Sequence, residues 1–401
     1  MNWLDETVAT YEPYESPTRF YYWSCLAAVS AVLKDRVYFD RYLYKLYPNI
    51  YVLLFGPSAI KKGPPISLAK DIVNRVNNTR VINGRATVEA IIKELGTVQH
   101  RPDKSIINDS SGFIVSSELS SAIIGNTNSL DILTDLFDRI YNEGEWTYRL
   151  KNSEPIKLKN PTITWLAGTN EALFREFVPE KNLKGGLIGR TFVIAEHKAE
   201  KYNSLMDKPP TLPDKIKIAK GIEHLKNLSG EFCMTPDVRE AFKVWYHRFR
   251  KDIAPKLDDD TGTVGRIDDN ILKLAMLLSS ARRGDLILTI DDITEATIEV
   301  LTLIAPAKKV SSSGGLQRDS TQNEKRALIL HHLANCEAAS DTLKNILRKF
   351  THKLDHEDLD RIMTTLERAG VATVNRTGGD VIYSLNISKK DVHEYIDHYR
   401  R

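Results

Sequence analysis

The sequence predicts an α/β fold in which a mainly parallel sheet is covered by helices. Strand-like and helix-like segments alternate between residues 48 and 200, and an apolar strand at residues 50–55 runs directly into a glycine-containing loop and a helix. Two further apolar strands end in polar residues. Sheets of this class bind ligands at the carboxyl ends of their strands, so we expect the functional site in this half of the chain.

The elements of this half follow from the spacing of the apolar residues. Residues 1–47 predict a helical entry segment, because Trp23, Leu26, Ala27 and Val32 recur at helical intervals. Residues 48–212 form the predicted core. Its predicted strands lie at 50–55, 112–116, 162–167 and 191–195, and its predicted helices at 66–76, 87–95 and 130–141.

The second half of the chain has a different pattern. Residues 213–307 predict an all-helical subdomain, with Pro236 in the first turn of one helix. The serine- and glycine-rich run at 311–315 predicts a flexible linker over residues 308–322. Residues 323–401 then contain three predicted helices and two short strands joined by a turn at 377–380, which is the order of a winged-helix domain.

The composition, with 27% charged and 42% hydrophobic residues, is typical of a soluble globular protein. The formal net charge of +3 neither indicates nor excludes nucleic acid, since a binding surface can be local. Cys25, Cys233 and Cys336 lack metal-ligand spacing and predict buried apolar thiols in a reducing cytoplasm. No stretch has the length of a membrane-spanning helix, and the N-terminus does not resemble a signal peptide, so we predict a cytoplasmic protein with no membrane partner.

The loop at residues 56–63 predicts a site for the phosphates of ATP. A P-loop, G-x-x-x-x-G-K-[ST], uses its glycines to curl backbone N–H groups around phosphate, its lysine for charge and its hydroxyl for Mg²⁺. Gly56 and Lys62 hold their expected positions, but Lys61 replaces the second glycine and Gly63 replaces the Ser/Thr. We assign these four residues and Ser58 to nucleotide binding; a structural glycine turn is the alternative.

The strand at residues 113–118 predicts the catalytic acid. It is apolar and ends at Glu118, whose carboxylate could polarise an attacking water. An aspartate that helps to hold Mg²⁺ usually precedes this glutamate, but Ser117 stands there. We predict Glu118 and Ser117 as the protein groups nearest the metal, and an ordinary strand-end carboxylate is the alternative.

A third strand ends at Thr169 and Asn170. Asn170 could orient water beside the γ-phosphate, or it could cap the helix that begins near Glu171. The residues alone favour neither role.

Taken in order, these motifs resemble a family of helicase-like P-loop proteins from phage and prophage replication modules, related to primase-associated helicases. The resemblance covers roughly residues 10–200, and family members often carry Lys-Gly where other P-loops have Lys-Ser/Thr. The later region resembles an AAA+ helical lid followed by a winged helix, as in the minichromosome-maintenance helicases. The segments that carry the resemblance are Tyr47-Pro-Asn-Ile-Tyr51, Gly56-Pro-Ser58, Ser117-Glu118-Leu119, residues 141–148 and Gly189-Arg190.

The resemblance implies a P-loop NTPase core of the AAA+/RecA-like type with a helical lid and a C-terminal winged helix. It implies ATP and Mg²⁺ as ligands and a homo-oligomeric ring, most simply a hexamer. Arg190 then acts on the neighbouring subunit's nucleotide, and Arg266 is a second arginine from the lid. A structural or solvated arginine is the alternative for each.

A predicted hairpin at residues 145–159 precedes the strand that ends at Asn170. In hexameric AAA+ helicases a hairpin at this point projects into the central channel, and a basic residue at its tip tracks the DNA backbone. Lys151 is that residue here, with Arg149, Lys157 and Lys159 nearby. Such phosphate contacts bind DNA without reading its sequence. An ordinary solvated hairpin is the alternative.

The predicted winged helix is a weaker candidate for DNA. Its third helix is rich in acidic residues and would repel phosphate, which leaves Arg376 in the wing and Arg348, Lys349 and Lys353 near the second helix. A protein-docking or structural role is at least as compatible with these residues.

These inferences together predict an ATP-dependent DNA helicase or translocase of a phage or mobile element, working in the cytoplasm of a bacterial host. The implied partners are single-stranded or forked DNA, further copies of the chain, and a primase or origin-binding protein. A nucleotide-binding module that hydrolyses ATP weakly or not at all, such as a helicase-loading protein, is the main alternative. A DNA-binding structural protein with an inert ATPase-like fold is a third.

Overall fold

A computed structural model shows a mixed α/β protein that divides into two compact units, Met1–Gly314 and Gly315–Arg401. The structure describes residues 2–84, 86–119, 132, 134–136, 145–149, 154–177, 186–199, 201–202, 210–257, 259, 261–336, 338–350, 354, 356–377, 380–388 and 391–392.

The first unit contains most of the regular structure. Its helices are α1 (Trp3–Tyr11), α2 (Thr18–Leu33), α3 (Gly63–Val76), α4 (Val88–Leu95), α5 (Glu171–Phe177), α6 (Leu212–Gly221), α7 (Pro236–Arg248), α8 (Ile267–Arg282) and α9 (Ile290–Thr302). Its strands are β1 (Val37–Asp40), β2 (Lys45–Leu46), β3 (Tyr51–Phe55), β4 (Arg80–Asn83), β5 (Gln99–His100), β6 (Ile106–Ile107), β7 (Ser111–Ser116), β8 (Glu145–Tyr148), β9 (Ile156–Lys159), β10 (Thr162–Thr169), β11 (Thr191–Ala195), β12 (Gly230–Met234) and β13 (Ile287–Leu288).

A five-stranded parallel sheet lies at the centre of this unit, in the order β11-β3-β10-β7-β4. Every residue of β3, β7 and β10 is buried, as expected for strands covered on both faces. This is an α/β core consistent with the Rossmann- or P-loop-like class. All five strands point the same way, so their carboxyl ends share one edge of the sheet.

Helix α2 covers one face of the sheet and is buried along almost its whole length. The hydroxyls of Ser30 and Thr164 lie 2.6 Å apart where α2 crosses β10, and the rings of Trp23 and Phe192 lie 5.0 Å apart where it crosses β11. The apolar spacing predicted this helix, and its burial explains why it carries so few charges.

The region predicted as all-helical, residues 213–307, also contains strands, and so does the predicted helical segment 1–47. Strands β12 and β13 join β1 and β2 in a four-stranded sheet, in which β1 pairs in parallel with β12. These strands have only two to five residues, too few for a period of two to stand out in the sequence. One apolar core runs from Leu4 to Leu303, so both segments pack with the central sheet.

A long helix, α10 (Ile304–Ala334), replaces the predicted linker at 308–322. Two adjacent glycines cost a helix roughly 1 kcal/mol each relative to alanine, and the three serines before them are also weaker helix formers than alanine, so the helix continues here against the local propensity. The linker prediction gave the local composition too much weight. The division between the two units nevertheless falls at Gly314 and Gly315.

The second unit consists of the end of α10 with α11 (Leu343–Lys349), α12 (His356–Arg368) and the strands β14 (Ser340–Thr342), β15 (Ala372–Thr377) and β16 (Asp380–Leu385). The predicted hairpin is present as the antiparallel pair β15–β16. Strand β14 pairs with β16 and was not predicted. An apolar core formed by the helices and the sheet holds the unit together.

None of the helices in the described part of the chain is both long and apolar enough to cross a membrane.

Candidate nucleotide-binding site

The loop between β3 and α3 has the left-handed backbone that phosphate-binding loops need, although non-glycine residues supply it. Ala59 and Lys61 have φ values of 69° and 61°. Lys61 stands where the consensus has glycine, and its carbonyl accepts a 2.7 Å hydrogen bond from the Ser16 hydroxyl. Its ammonium lies 3.7 Å from the Glu15 carboxylate. The N-terminal segment therefore contacts the loop at Lys61, one of its two departures from the consensus.

Gly56 is required at the start of the loop by close packing. A Cβ atom at this position would lie 2.4 Å from the Glu196 carbonyl oxygen, which is far inside van der Waals contact. The Glu196 amide in turn donates to the Phe55 carbonyl. The end of β11 thus fixes the point at which the loop leaves the sheet.

Lys62 immediately precedes α3, and its side chain turns back into the loop. Its Nζ donates to the carbonyls of Gly56 and Pro57, each at 2.8 Å. Partial burial lowers the pKa of Lys62, and the negative charge of Glu118 acts in the opposite direction. The ammonium is therefore held inside the curve of the loop, within electrostatic reach of the predicted catalytic acid.

Gly168 is a site residue that the motifs did not single out. A Cβ atom there would lie 2.7 Å from the Ser117 carbonyl oxygen and 3.5 Å from Cβ of Lys62. The missing side chain lets the end of β7 approach the start of α3 across β10. A glycine within an otherwise apolar strand is the signal that could have identified it, because such glycines often mark a close backbone approach.

Asn170 fulfils the capping role and also reaches the loop. Its Oδ1 accepts from the Leu173 amide at 3.0 Å, as a helix cap does. Its Nδ2 lies 3.5 Å from the Ser58 hydroxyl inside the loop. Both alternatives for Asn170 are thus compatible with its position, since the cap fixes the side chain while the amide faces the loop.

The topology of the sheet explains why these groups meet. Strand β3 connects onward to the β4 side of the sheet, whereas its neighbour β10 connects to β11 on the other side. Adjacent strands whose connections diverge leave a crevice at their carboxyl ends, and ligands of open α/β sheets bind in such crevices. The residues at this edge are Gly56, Ser58, Lys61, Lys62, Gly63, Ser117, Glu118 and Asn170.

Arg190 and Arg266 lie at the opposite edge of the sheet. Arg190 precedes β11, whose first residue pairs with Tyr51 at the start of β3. Five residues at roughly 3.3 Å each place it about 17 Å from the loop. Arg190 donates to the Gly186 carbonyl at 2.8 Å, and a Cβ on Gly186 would lie 3.6 Å from the guanidinium of Arg266. The two arginines are brought together, away from this chain's own loop.

The predicted hairpin is present as the antiparallel pair β8–β9. Lys157 lies 3.0 Å from Glu145, and Lys157, Arg149 and Lys159 are all exposed. The predicted tip residue, Lys151, lies outside the described residues. Strand β9 leads directly into the start of β10, which places the base of the hairpin at the same edge of the sheet as Arg190.

The predicted DNA contact in the second unit, Arg376, is exposed on β15 and faces Val381 of β16 in the hairpin register. Lys353 lies outside the described residues.

Among the described residues of the crevice, few side chains offer an oxygen to Mg²⁺. Gly63 offers no side chain, and the nearby donors are the Glu118 carboxylate and the hydroxyls of Ser58 and Ser117. Magnesium commonly keeps several waters and takes only one or two protein ligands beside substrate phosphates. The donor set therefore fits a metal held mainly by phosphate and water.

Replacing Gly63 with serine should restore the missing hydroxyl without disturbing the fold. A Cβ at residue 63 would meet nothing within 4 Å. We expect Gly63→Ser to change the free energy of unfolding by no more than about 0.5 kcal/mol, as for other open sites. It should also lower the Mg²⁺ concentration needed for half-maximal nucleotide binding. Gly168→Ala is the contrasting glycine variant. Its Cβ would collide with the Ser117 carbonyl, so it should weaken nucleotide binding. If the Mg²⁺ dependence of nucleotide binding is the same in Gly63→Ser as in wild type, residue 63 does not lie beside the metal.

Lys61 should tolerate glycine and reject a β-branched residue. Its positive φ suits glycine and is an outlier for valine. We expect Lys61→Val to destabilise the fold by about 1–3 kcal/mol, and Lys61→Gly to lie near wild type. Urea denaturation of the two variants measures the difference. Equal stabilities would show that residue 61 does not adopt this backbone in solution.

No protein-family model matches the chain, and no curated protein matches it.

Proposed function

We propose that the chain is an ATP-dependent DNA helicase or translocase that acts as a ring in the replication of a phage or mobile element. The observation that carries the proposal is the convergence of Lys62, Glu118 and Asn170 at one crevice of the parallel sheet. A phosphate-binding lysine, a carboxylate and a water-orienting amide are the groups that phosphoryl transfer to water requires.

In this proposal the loop binds the nucleotide's phosphates. The N-terminus of α3 offers the positive end of the helix dipole and the backbone N–H of Gly63, while Pro64 and Pro65 have no N–H to offer. Lys62 exchanges its two carbonyl acceptors for phosphate oxygens when ATP enters. The exchange needs only a side-chain rotation, because the ammonium already lies inside the loop.

Glu118 accepts a proton from the attacking water, and Asn170 orients that water. The helix cap holds the Asn170 side chain and reduces the freedom lost when the water is ordered. Bound Mg²⁺ supplies charge neutralisation on the phosphate oxygens.

The position of Arg190 supports action on a neighbouring copy. Its backbone lies about 17 Å from its own loop, and its guanidinium is held on the Gly186 carbonyl, away from the nucleotide proposed to bind in that loop. In a ring, the edge of the sheet that carries Arg190 and Arg266 in one subunit faces the carboxyl edge, with its loop, in the next subunit. There the two arginines stabilise charge on the transferred phosphoryl group.

The hairpin is the proposed DNA contact. Lys159 is exposed at the base of the hairpin, Arg149 is exposed at the other end of β8, and Lys151 lies at the predicted tip. Such cations bind the DNA backbone without sequence preference. The C-terminal three helices and hairpin, proposed to be a winged helix, add Arg376 as a second contact.

Phosphate release by the purified protein tests the proposal. We expect Mg²⁺-dependent release from ATP that single-stranded DNA stimulates, together with unwinding of a forked duplex. ATP turnover that ignores DNA would refute the helicase assignment, while the nucleotide site would stand.

The second candidate is a nucleotide-binding module that does not hydrolyse ATP, such as a helicase loader that works with a primase or origin-binding protein. Glycine at residue 63 and serine at residue 117, in place of both usual metal ligands, favour it. This candidate predicts ATP binding and nucleotide-dependent assembly with no phosphate release.

A further inference from the structure

Three potential metal ligands of different types meet in the second unit, where α10 passes into β14. His332 lies in the last turn of α10, Cys336 follows four residues later, and Asp341 lies in β14. The three have no motif spacing of the kind that zinc-binding cysteine pairs show. Only the turn between helix and strand brings them together.

The ligand atoms are close to the separations that a tetrahedral ion requires. Nε2 of His332 lies 2.8 Å from Oδ2 of Asp341 and 3.8 Å from Sγ of Cys336, and all three atoms lie within 4.8 Å of one another. Zinc bonds of about 2.0–2.3 Å imply ligand atoms about 3.3–3.6 Å apart. The separations would therefore have to change by no more than about 1.5 Å to accommodate the ion.

The surrounding contacts orient the ligands. Oδ1 of Asp341 accepts from the Thr342 amide at 2.8 Å and from the Asn345 side chain at 2.9 Å, which directs Oδ2 at His332. The His332 side chain is only 8% exposed and meets the Phe350 ring edge-on. Hydrogen-bonded carboxylates and fixed imidazoles of this kind are typical of the outer shell of metal sites.

Lys349 is the group that competes with metal binding at His332. Its Nζ lies 3.1 Å from Nδ1 of His332, so Nδ1 accepts and Nε2 carries the proton that is donated to Asp341. An ion on Nε2 requires that proton to move to Nδ1 and Lys349 to turn away into solvent. The Cys336 thiol also gives up its proton to solvent.

We propose that His332, Cys336 and Asp341 bind one Zn²⁺ ion, with water in the fourth position. Mixed thiolate, imidazole and carboxylate ligands suit zinc better than Mg²⁺ or Ca²⁺, which prefer oxygen alone. The ion links the end of α10 to the start of β14 and so stabilises the second unit. This site is independent of the proposed nucleotide site.

Cobalt substitution and zinc titration of the full-length protein, after removal of metal with a chelator, test the proposal. We expect one Zn²⁺ per chain, a rise of several degrees in the melting temperature, and a cobalt–thiolate charge-transfer band with Co²⁺. Cys336→Ser should abolish the band and weaken Zn²⁺ binding at least tenfold. Cys233→Ser is the matched control, because Cys233 is exposed and distant in sequence, and it should keep both properties.

Lys349→Met provides a second and opposite test. Removal of the competing ammonium should tighten Zn²⁺ binding relative to wild type, with the same stoichiometry. The proposal is overturned if the wild-type protein binds no Zn²⁺ or if the cobalt band survives in Cys336→Ser. It is also overturned if Lys349→Met binds the ion no more tightly than wild type.

Discussion

Lys62→Ala should lose ATP turnover by at least about a hundredfold, the scale expected when one pre-placed charge is removed from a phosphoryl-transfer site. Lys62 is the cation that the structure holds within the loop, against the carbonyls of Gly56 and Pro57. Phosphate release measures turnover, and titration with a fluorescent ATP analogue measures binding. Both should fall together, because the charge acts on bound substrate and on the transition state alike.

Lys93→Ala is the control for this variant. Lys93 is an exposed lysine on α4, away from the loop, and its loss should leave both measurements unchanged. Circular dichroism should show that both variants are folded. Wild-type turnover by folded Lys62→Ala would remove the loop from the mechanism.

Arg190→Ala should reduce ATP turnover by about a thousandfold while ATP binding stays near wild type, because arginines supplied by a neighbour contribute about 10³–10⁵ in rate. The separation of Arg190 from its own loop is the reason to expect intact binding. Arg190 also donates to the Gly186 carbonyl. Arg190→Lys therefore serves as a check that the loss of ATP turnover does not come from the loss of this local hydrogen bond.

Mixing Arg190→Ala with Lys62→Ala tests action between subunits. Each variant alone should be inactive. In mixed assemblies, an intact loop from the first variant can face an intact arginine from the second, so activity should return in part. A mixture that assembles but stays inactive would contradict the shared site.

The sequence predicted four of the five strands of the parallel sheet, all but β4, and the residues at its carboxyl edge, because long apolar runs and polar strand ends are local signals. It also predicted the hairpins β8–β9 and β15–β16. It missed β1, β2, β4, β5, β6, β12, β13 and β14, since strands of two to five residues have too few positions for alternation to be read. The helix through Gly314 was missed for another reason: the serine and glycine run at 311–315 has a low helix propensity, and α10 continues through it all the same.

The site depends on two facts that no motif contains. The order of the strands places β10 between β3 and β7, and with it Asn170 between the loop and Glu118. Gly168 allows the end of β7 to come close to the start of α3. A Cβ atom at this residue would lie only 2.7 Å from the Ser117 carbonyl oxygen. Both the strand order and the close approach at Gly168 depend on pairing between strands that are distant in sequence. The spacing of residues along a single strand carries no information about that pairing.

A structure of the protein with a non-hydrolysable ATP analogue, Mg²⁺ and single-stranded DNA would test the central claim most directly. We predict that the β- and γ-phosphates lie in the curve of residues 57–62, and that Lys62 has left the Gly56 and Pro57 carbonyls to contact them. A nucleotide bound elsewhere, with Lys62 still on those carbonyls, would contradict the account.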